Sequence, residues 1–133
     1  MCIRDRIKDC TELDAVVVAV GGGGLMSGVA AAVKLKNSKC KVYGVEPRGA
    51  NSMSQSMVVN KPVTLDSVNT IADSLAPPMA LPFSYSICKE FVDQFVTVTD
   101  DQICAGLFLL QEECKLAVEP AAGAVLALSL IHI

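Results

Sequence analysis

The sequence predicts an α/β fold, a piece of parallel sheet with helices between its strands. Three observations carry that expectation. The run Ala15-Val16-Val17-Val18-Ala19-Val20 is apolar and rich in β-branched residues, as a strand buried on both faces requires. Four consecutive glycines, Gly21-Gly22-Gly23-Gly24, follow it, and the Ala-rich stretch from Leu25 to Val33 reads as a helix. A second apolar run, Lys41-Val42-Tyr43-Gly44-Val45-Glu46, comes after that helix, which makes a strand–helix–strand unit with a right-handed crossover.

Residues 13–20 form the first predicted strand and residues 24–36 the first helix, with Lys34 and Lys36 placed in its last turn to complement the dipole. Asn37-Ser38-Lys39 is a turn, and Pro47 is expected to stop the second strand. Residues 51–58 read as a short helix and Asn60-Lys61-Pro62 as a turn. Residues 69–78 read as loop, because Pro77-Pro78 forbids a regular helix. A helix over 82–92 leads into a third strand, Gln94-Phe95-Val96-Thr97-Val98. Thr99-Asp100-Asp101-Gln102 fits a capping box, with Ile103, Leu107, Leu110 and Cys114 on one face of the helix it opens. Pro120 is placed to start a last helix that reaches about Leu128.

At 133 residues the chain is one domain or part of one. Its hydrophobic content of 52% fits strands covered on both faces. The net charge of −3 and the lack of a basic cluster argue against nucleic acid. The uncharged stretch 15–33 is long enough to raise a membrane span, but the glycine run cuts it in the middle. The six cysteines are scattered without a C-x-x-C pair, which reads as buried free thiols in a reducing cytoplasm. His132 is the sole histidine, which argues against Ser-His-Asp or Cys-His catalysis and against a His-rich metal site.

The glycine run carries the chemistry. Bare amides at a helix N-terminus, with the helix dipole behind them, make a site for an anion, most often a phosphate. No Lys or Arg lies inside the loop, so the grip would be made by main chain. Three readings stand on spacing alone. A dinucleotide reading uses Gly22, Gly24 and Gly28, with Glu46 about 20 residues on as the ribose acid. A phosphate-only reading takes Gly21–Gly24 as a cup for one terminal phosphate. A tight turn with no ligand is the third.

The segment from Val17 through Gly28, followed by Lys41-Val42-Tyr43-Gly44-Val45-Glu46-Pro47, resembles the fold-type II pyridoxal-phosphate enzymes, in particular the threonine/serine dehydratase and serine racemase branch. Thr70-Ile71-Ala72-Asp73, Phe95-Val96-Thr97-Val98-Thr99-Asp100 and Val118-Glu119-Pro120-Ala121-Ala122-Gly123 recur there in this order. The resemblance implies part of the three-layer, parallel-sheet domain of the tryptophan synthase beta-like fold. It implies that the amides of Gly21, Gly22, Gly23, Gly24 and Leu25 hold the phosphate of pyridoxal 5'-phosphate. Ser74 would lie beside the cofactor, where relatives commonly carry Gly, and Asp73 beside it would face the cofactor or cap its own loop. Glu119 would either face the site, with a pKa raised by partial burial, or cap the helix after it.

Some relatives hold a structural cation, Mg²⁺ or Ca²⁺. Here its oxygen ligands would be Glu46, the carbonyl of Ala50 and the side chain of Ser52, where those relatives have a carboxylate. Otherwise Glu46 would pair with a surface cation such as Arg48. The implied activity is β-elimination from L-threonine or L-serine, giving a 2-oxo acid and ammonia, in a cytoplasmic, homo-oligomeric parent. Serine racemase and threonine-synthase-like activities share these motifs. A nicotinamide-nucleotide oxidoreductase fragment and a non-catalytic ligand-binding domain are the readings from other classes. The family's Schiff-base lysine belongs to a K-x-R-G-A-like segment. Arg48-Gly49-Ala50 does not match it, because Glu46 stands in the lysine's place. The expected layout is a non-family segment over 1–11, a partial cofactor-binding domain over 12–128 and a non-family tail over 129–133. The chain alone is expected to be inactive.

Overall fold

The computed structural model describes Cys10 and residues 12–132, with the side chains of 131 and 132 left aside. The expected N-terminal segment over 1–11 therefore lies almost wholly outside the described residues. Three parallel strands, β1 (Ala15–Ala19), β2 (Lys41–Pro47) and β3 (Gln94–Val98), form one sheet in the order β1-β2-β3. Helix α1 (Gly24–Lys36) crosses from β1 to β2. A 3-10 turn (Arg48–Ala50), α2 (Ser52–Val59), a second 3-10 turn (Asp73–Leu75) and α3 (Pro82–Phe91) precede β3. Helices α4 (Asp100–Glu112) and α5 (Pro120–His132) follow.

The alternation along each strand sorts the apolar side chains into two cores. On one face Val18, Val20 and Val42 pack with Met26, Ala30 and Val33 of α1, Met53 of α2, and Tyr85 and Cys88 of α3. On the other, Val45 and Val98 pack with Ile103 of α4 and Ala124, Ala127 and Leu128 of α5. The result is the expected three layers. Each fully buried valine contributes roughly 1.5–3 kcal/mol relative to exposure, which makes these two cores the main source of stability.

The boundaries depart from expectation in physically simple ways. β1 is shorter than 13–20, because its ladder to β2 runs from Ala15 opposite Lys41 to Ala19 opposite Val45. Pro47 does not stop β2 but takes its last place, opposite Val98, where no further rung needs its missing N–H. The expected loop 69–78 contains the short 3-10 turn, and Thr64 bridges Met79 across its base. The capping box is present, with Gln102 N donating to Thr99 Oγ1 at 3.2 Å and Thr99 N donating to Gln102 Oε1 at 2.8 Å. Cys114 falls beyond the end of α4 and is exposed, so it leaves the apolar face assigned to it. Cys40 and Cys88 are buried as expected, whereas Cys10 and Cys104 are exposed. Burial pushes the Cys88 thiol up to about 11, and the nearby Glu46 carboxylate adds to the shift. α5 runs on to His132 rather than ending near Leu128. No helix of the described residues is long and apolar enough to cross a membrane.

Candidate cofactor site

The end of β1 delivers the chain to the glycines. Gly21 lies against the loop that carries Ser74: a Cβ there would sit 3.0 Å from the Ser74 carbonyl oxygen and 3.1 Å from Pro77 Cδ. Gly23 is the N-cap of α1 and has φ 88°, in the left-handed region where other residues are strained. A Cβ on Gly23 would also meet the Met53 methyl at 2.5 Å. Gly24 is different, since a Cβ there would touch nothing within 4 Å. Two glycines are thus fixed by contact, and Gly24 borders open space.

Helix α1 has no side-chain cap. Its fourth amide, Ser27 N, donates to the Gly23 carbonyl at 2.9 Å. Among the described residues, the amides of Gly21, Gly22, Gly23, Gly24, Leu25 and Met26 donate to no protein acceptor. A helix start leaves such donors without intrahelical partners, and here nothing else takes them. With the positive end of the dipole they suit a dianion. These residues line a cavity of about 320 Å³, together with Ser74, Leu75 and Glu119. Among the described residues no lysine or arginine lines it. A larger cleft of about 410 Å³ runs along β1 between α1 and α5, but its lining is apolar and offers an anion no donor.

The structure therefore brings Gly21–Gly24, Leu25, Ser74 and Glu119 together, as the sequence motifs imply. Ser74 is exposed within the 3-10 turn and faces this cavity. Glu119 is exposed too, which corrects the expected partial burial; the chain around it, from Gln111 to Ala117, is exposed as well. The carbonyl of Glu119 accepts from Ala122 N at 3.0 Å in the first turn of α5. Asp73 is exposed and starts the 3-10 turn, where its carbonyl accepts from Ala76 N at 3.1 Å.

Glu46 lies elsewhere and does another job. It is fully buried. Its Oε1 accepts from Met53 N at 2.9 Å and its Oε2 from Ser54 N at 2.7 Å, with the Ser54 hydroxyl donating to the same Oε2. Glu46 thus anchors the N-terminus of α2. Burial pushes its pKa up, and the three donors pull against that shift. A fully buried carboxylate cannot reach a ribose in solvent-facing space, so the dinucleotide reading fails at its acid. The pairing with Arg48 fails as well, because Arg48 is exposed and Glu46 forms no ion pair among the described residues. Ala50 is buried in the turn after β2, and the Ser52 hydroxyl is buried without a hydrogen-bond partner. Among the described residues no three His, Cys, Asp or Glu side chains are grouped to hold a metal.

One participant escaped the sequence reading. Asp100, in the first turn of α4, accepts from Thr70 Oγ1 at 2.7 Å and from Ile71 N at 3.1 Å. It holds the loop that carries Ser74. The capping box places Asp100 in the first turn of the helix, but no spacing rule links it to a threonine thirty residues earlier.

The fold and the cup define an α/β protein whose glycine turn presents main-chain amides without protein acceptors to a cavity, an arrangement suited to an anion. Residues 3–132 match the family described as pyridoxal-phosphate dependent enzyme, and the chain belongs to that family. That match reaches into both terminal segments. The chain is 48% identical over 124 residues to phenylserine dehydratase of Ralstonia pickettii, covering 93% of this chain and 38% of that protein. It superposes on maize serine racemase with a TM-score of 0.92 at 34% identity, covering 96% of this chain and 40% of that one. The processed form of threonine deaminase isoform 2 from Solanum lycopersicum gives a TM-score of 0.90 at 32% identity, covering 94% and 36%. The chain therefore spans well under half the length of these relatives. The family's cofactor, pyridoxal phosphate, ends in a dianionic phosphate, and the open, uncapped amides at Gly21–Met26 fit that group.

Proposed function

We propose that this chain is the phosphate-holding part of a pyridoxal-phosphate lyase that converts a 3-hydroxy-2-amino acid, L-threonine or L-serine first, to a 2-oxo acid and ammonia. The observation that carries this is the ring of unpaired amides at Gly21–Met26, facing Ser74 and Glu119 across one cavity. The names of the dehydratase and the deaminase among the relatives point to the same chemistry, since phenylserine and threonine both carry a hydroxyl on Cβ. The likeness to a serine racemase keeps racemisation as the second reading, because both reactions begin by removing the Cα proton.

When bound, pyridoxal phosphate supplies an electron sink for charge that develops at Cα. The chain's own residues do the holding. The amides fix the phosphate without a cationic side chain, each such interaction at a helix start contributing on the order of 0.3–1 kcal/mol. The Ser74 hydroxyl offers a donor on the wall, and the Glu119 carboxylate offers a proton acceptor at the rim. No lysine lines the cavity among the described residues, and no K-x-R-G-A-like segment occurs in the sequence. Two buried free thiols fit a reducing, cytoplasmic setting.

The test uses protein from the complete reading frame. Added pyridoxal phosphate should give a visible absorbance band, and threonine should yield 2-oxobutanoate and ammonia. NADPH binding without a pyridoxal-phosphate band would overturn the assignment. The 133-residue chain alone should give no 2-oxobutanoate.

A further inference from the structure

We propose that Asp100 and Thr70 form a positioning pair that sets the wall of the cofactor cup, an inference that rests on the cofactor reading above. The wall in question is the Ser74–Leu75 segment. It is close enough to the glycines that a Cβ on Gly21 would meet the Ser74 carbonyl oxygen at 3.0 Å and Leu75 Cα at 3.4 Å. A shift of this segment by a fraction of an ångström therefore changes the shape of the cup directly.

The segment has few anchors of its own. Asp66, Ser67, Asn69, Ile71, Asp73 and Ser74 are all exposed, with only Ala72 and Leu75 buried. Its internal hydrogen bonds are local, from Asp73 N to Ile71 O at 3.1 Å and from Leu75 N to Ala72 O at 2.8 Å. These bonds shape the turn, and Ala72 and Leu75 seat it in the core with Val45, Val98 and Ile103. One backbone tie reaches outward, from Asn69 N to Gly49 O at 3.0 Å. The side-chain tie is Asp100.

Asp100 is well built for that task. Its helix start is locked by the Thr99–Gln102 capping box at the end of β3, so the carboxylate projects from a fixed platform. Its two oxygens divide the work. Oδ1 takes the Thr70 hydroxyl at 2.7 Å, and Oδ2 takes the Ile71 amide at 3.1 Å. Thr70 Oγ1 in turn accepts from Ala72 N at 3.2 Å, which carries the constraint one residue nearer to Ser74. Hydrogen bonds to an ionised acceptor are the stronger kind, and this linked set fixes the direction of the chain entering the 3-10 turn. The neighbouring Asp101 is exposed and makes no such bond among the described residues, although it shares the helix start. It supplies the control, since it carries the same charge without the clasp.

The experiment uses protein from the complete reading frame, freed of cofactor. Asp100→Asn removes the charge and leaves one side-chain oxygen where two served the Thr70 hydroxyl and the Ile71 amide, and Thr70→Val removes the hydroxyl while keeping the shape. Pyridoxal-phosphate affinity is measured by absorbance titration, and amide hydrogen exchange is followed over residues 70–76 without cofactor. Each variant should weaken affinity about tenfold, the scale on which outer-shell partners tune the hold on a bound metal. The double variant should lose no more than the weaker-binding single, and Thr70→Ser should restore binding. Exchange over 70–76 should quicken in both singles and stay unchanged in Asp101→Asn. Wild-type affinity and unchanged exchange in Asp100→Asn would overturn the proposal. If the unaltered protein binds no pyridoxal phosphate, the cofactor reading fails by itself. The exchange arm then decides the clasp alone: quicker exchange supports it, and unchanged exchange sinks it.

Discussion

Gly123 of α5 fills the side-chain space of Gly106 of α4, and Ile103 and Leu107 of α4 fill that of Gly123. A Cβ on Gly106 would lie 2.3 Å from the Gly123 carbonyl oxygen, and one on Gly123 would lie 2.3 Å from the Ile103 carbonyl oxygen. The helices cross backbone to backbone, and this crossing brings Ile103 into the core with Ala124 and Leu128. It also sets where α5 begins, and so where Glu119 stands at the cavity rim.

Gly106→Ala and Gly123→Ala should each destabilise the protein by about 1–3 kcal/mol, because the obstructing atoms are backbone and cannot turn aside. The double variant should cost less than the sum, since separating the helices once relieves both clashes. Gly28→Ala in α1 should do the reverse and stabilise by about 0.5–1 kcal/mol, because a Cβ there meets nothing within 4 Å. Urea unfolding measures all of these. Equal effects from Gly106→Ala and Gly28→Ala would discount the crossing.

Stability and cofactor grip should separate at the cup. Gly24→Ala adds a good helix former next to open space, so the melting temperature should hold or rise. Its methyl sits among the donors of the cavity, so cofactor affinity should fall. Gly23→Ala should lower both, because φ 88° is strained for alanine and the Met53 methyl blocks the new Cβ. Thermal melts and absorbance titrations check the pair.

Asp93 should shape the acid limb of stability. Burial opposes its charge, but Lys34 at 2.6 Å, the Val42 amide at 2.8 Å and Lys41 at 3.2 Å outweigh that and bring its pKa down from 3.8 to about 2. A folded pKa below the unfolded one gives stability that is present above about pH 4 and lost as pH falls toward about 2. Asp93→Asn should flatten the curve in that window, and added salt should weaken the contribution of the exposed Lys41. An unchanged acid limb in Asp93→Asn would contradict this.

Glu46 should act with the opposite sign. Its folded pKa is raised by burial, so its contribution is complete at acid pH and declines as pH rises through the folded value. Glu46→Gln should remove that slope. It should also cost about 1–3 kcal/mol, because the amide group turns a donor toward the Met53 or Ser54 amide. Melts across pH in both proteins give the answer.

Glu119→Gln should change the cofactor absorbance or the turnover of the complete enzyme while leaving its stability within about 0.5 kcal/mol, since the side chain is exposed. Unchanged spectra and rates would remove Glu119 from the chemistry.

The parts legible in sequence are those written in neighbouring residues. The β-branched run, the glycine turn and the capping box are each local, and each appears where expected. Glu46 was visible as an acid at a strand end, but its partners, Met53 and Ser54, lie beyond a turn whose path no periodicity specifies. Gly106 and Gly123 read as weak spots in two helices until the crossing shows what needs their small size. Thr70 and Asp100 stand thirty residues apart, and only the parallel return of β3 brings them together. Strand ends moved for a similar reason, because a rung exists only where the neighbouring strand does.

A grip made of main chain has no side chain to titrate and none to exchange. Whatever sits in the bend after β1 is held in the same manner across the working pH range, apart from its own ionisation. The Ser74 side chain on the opposite wall can therefore change while the main-chain anchor and the Asp100–Thr70 clasp stay as they are.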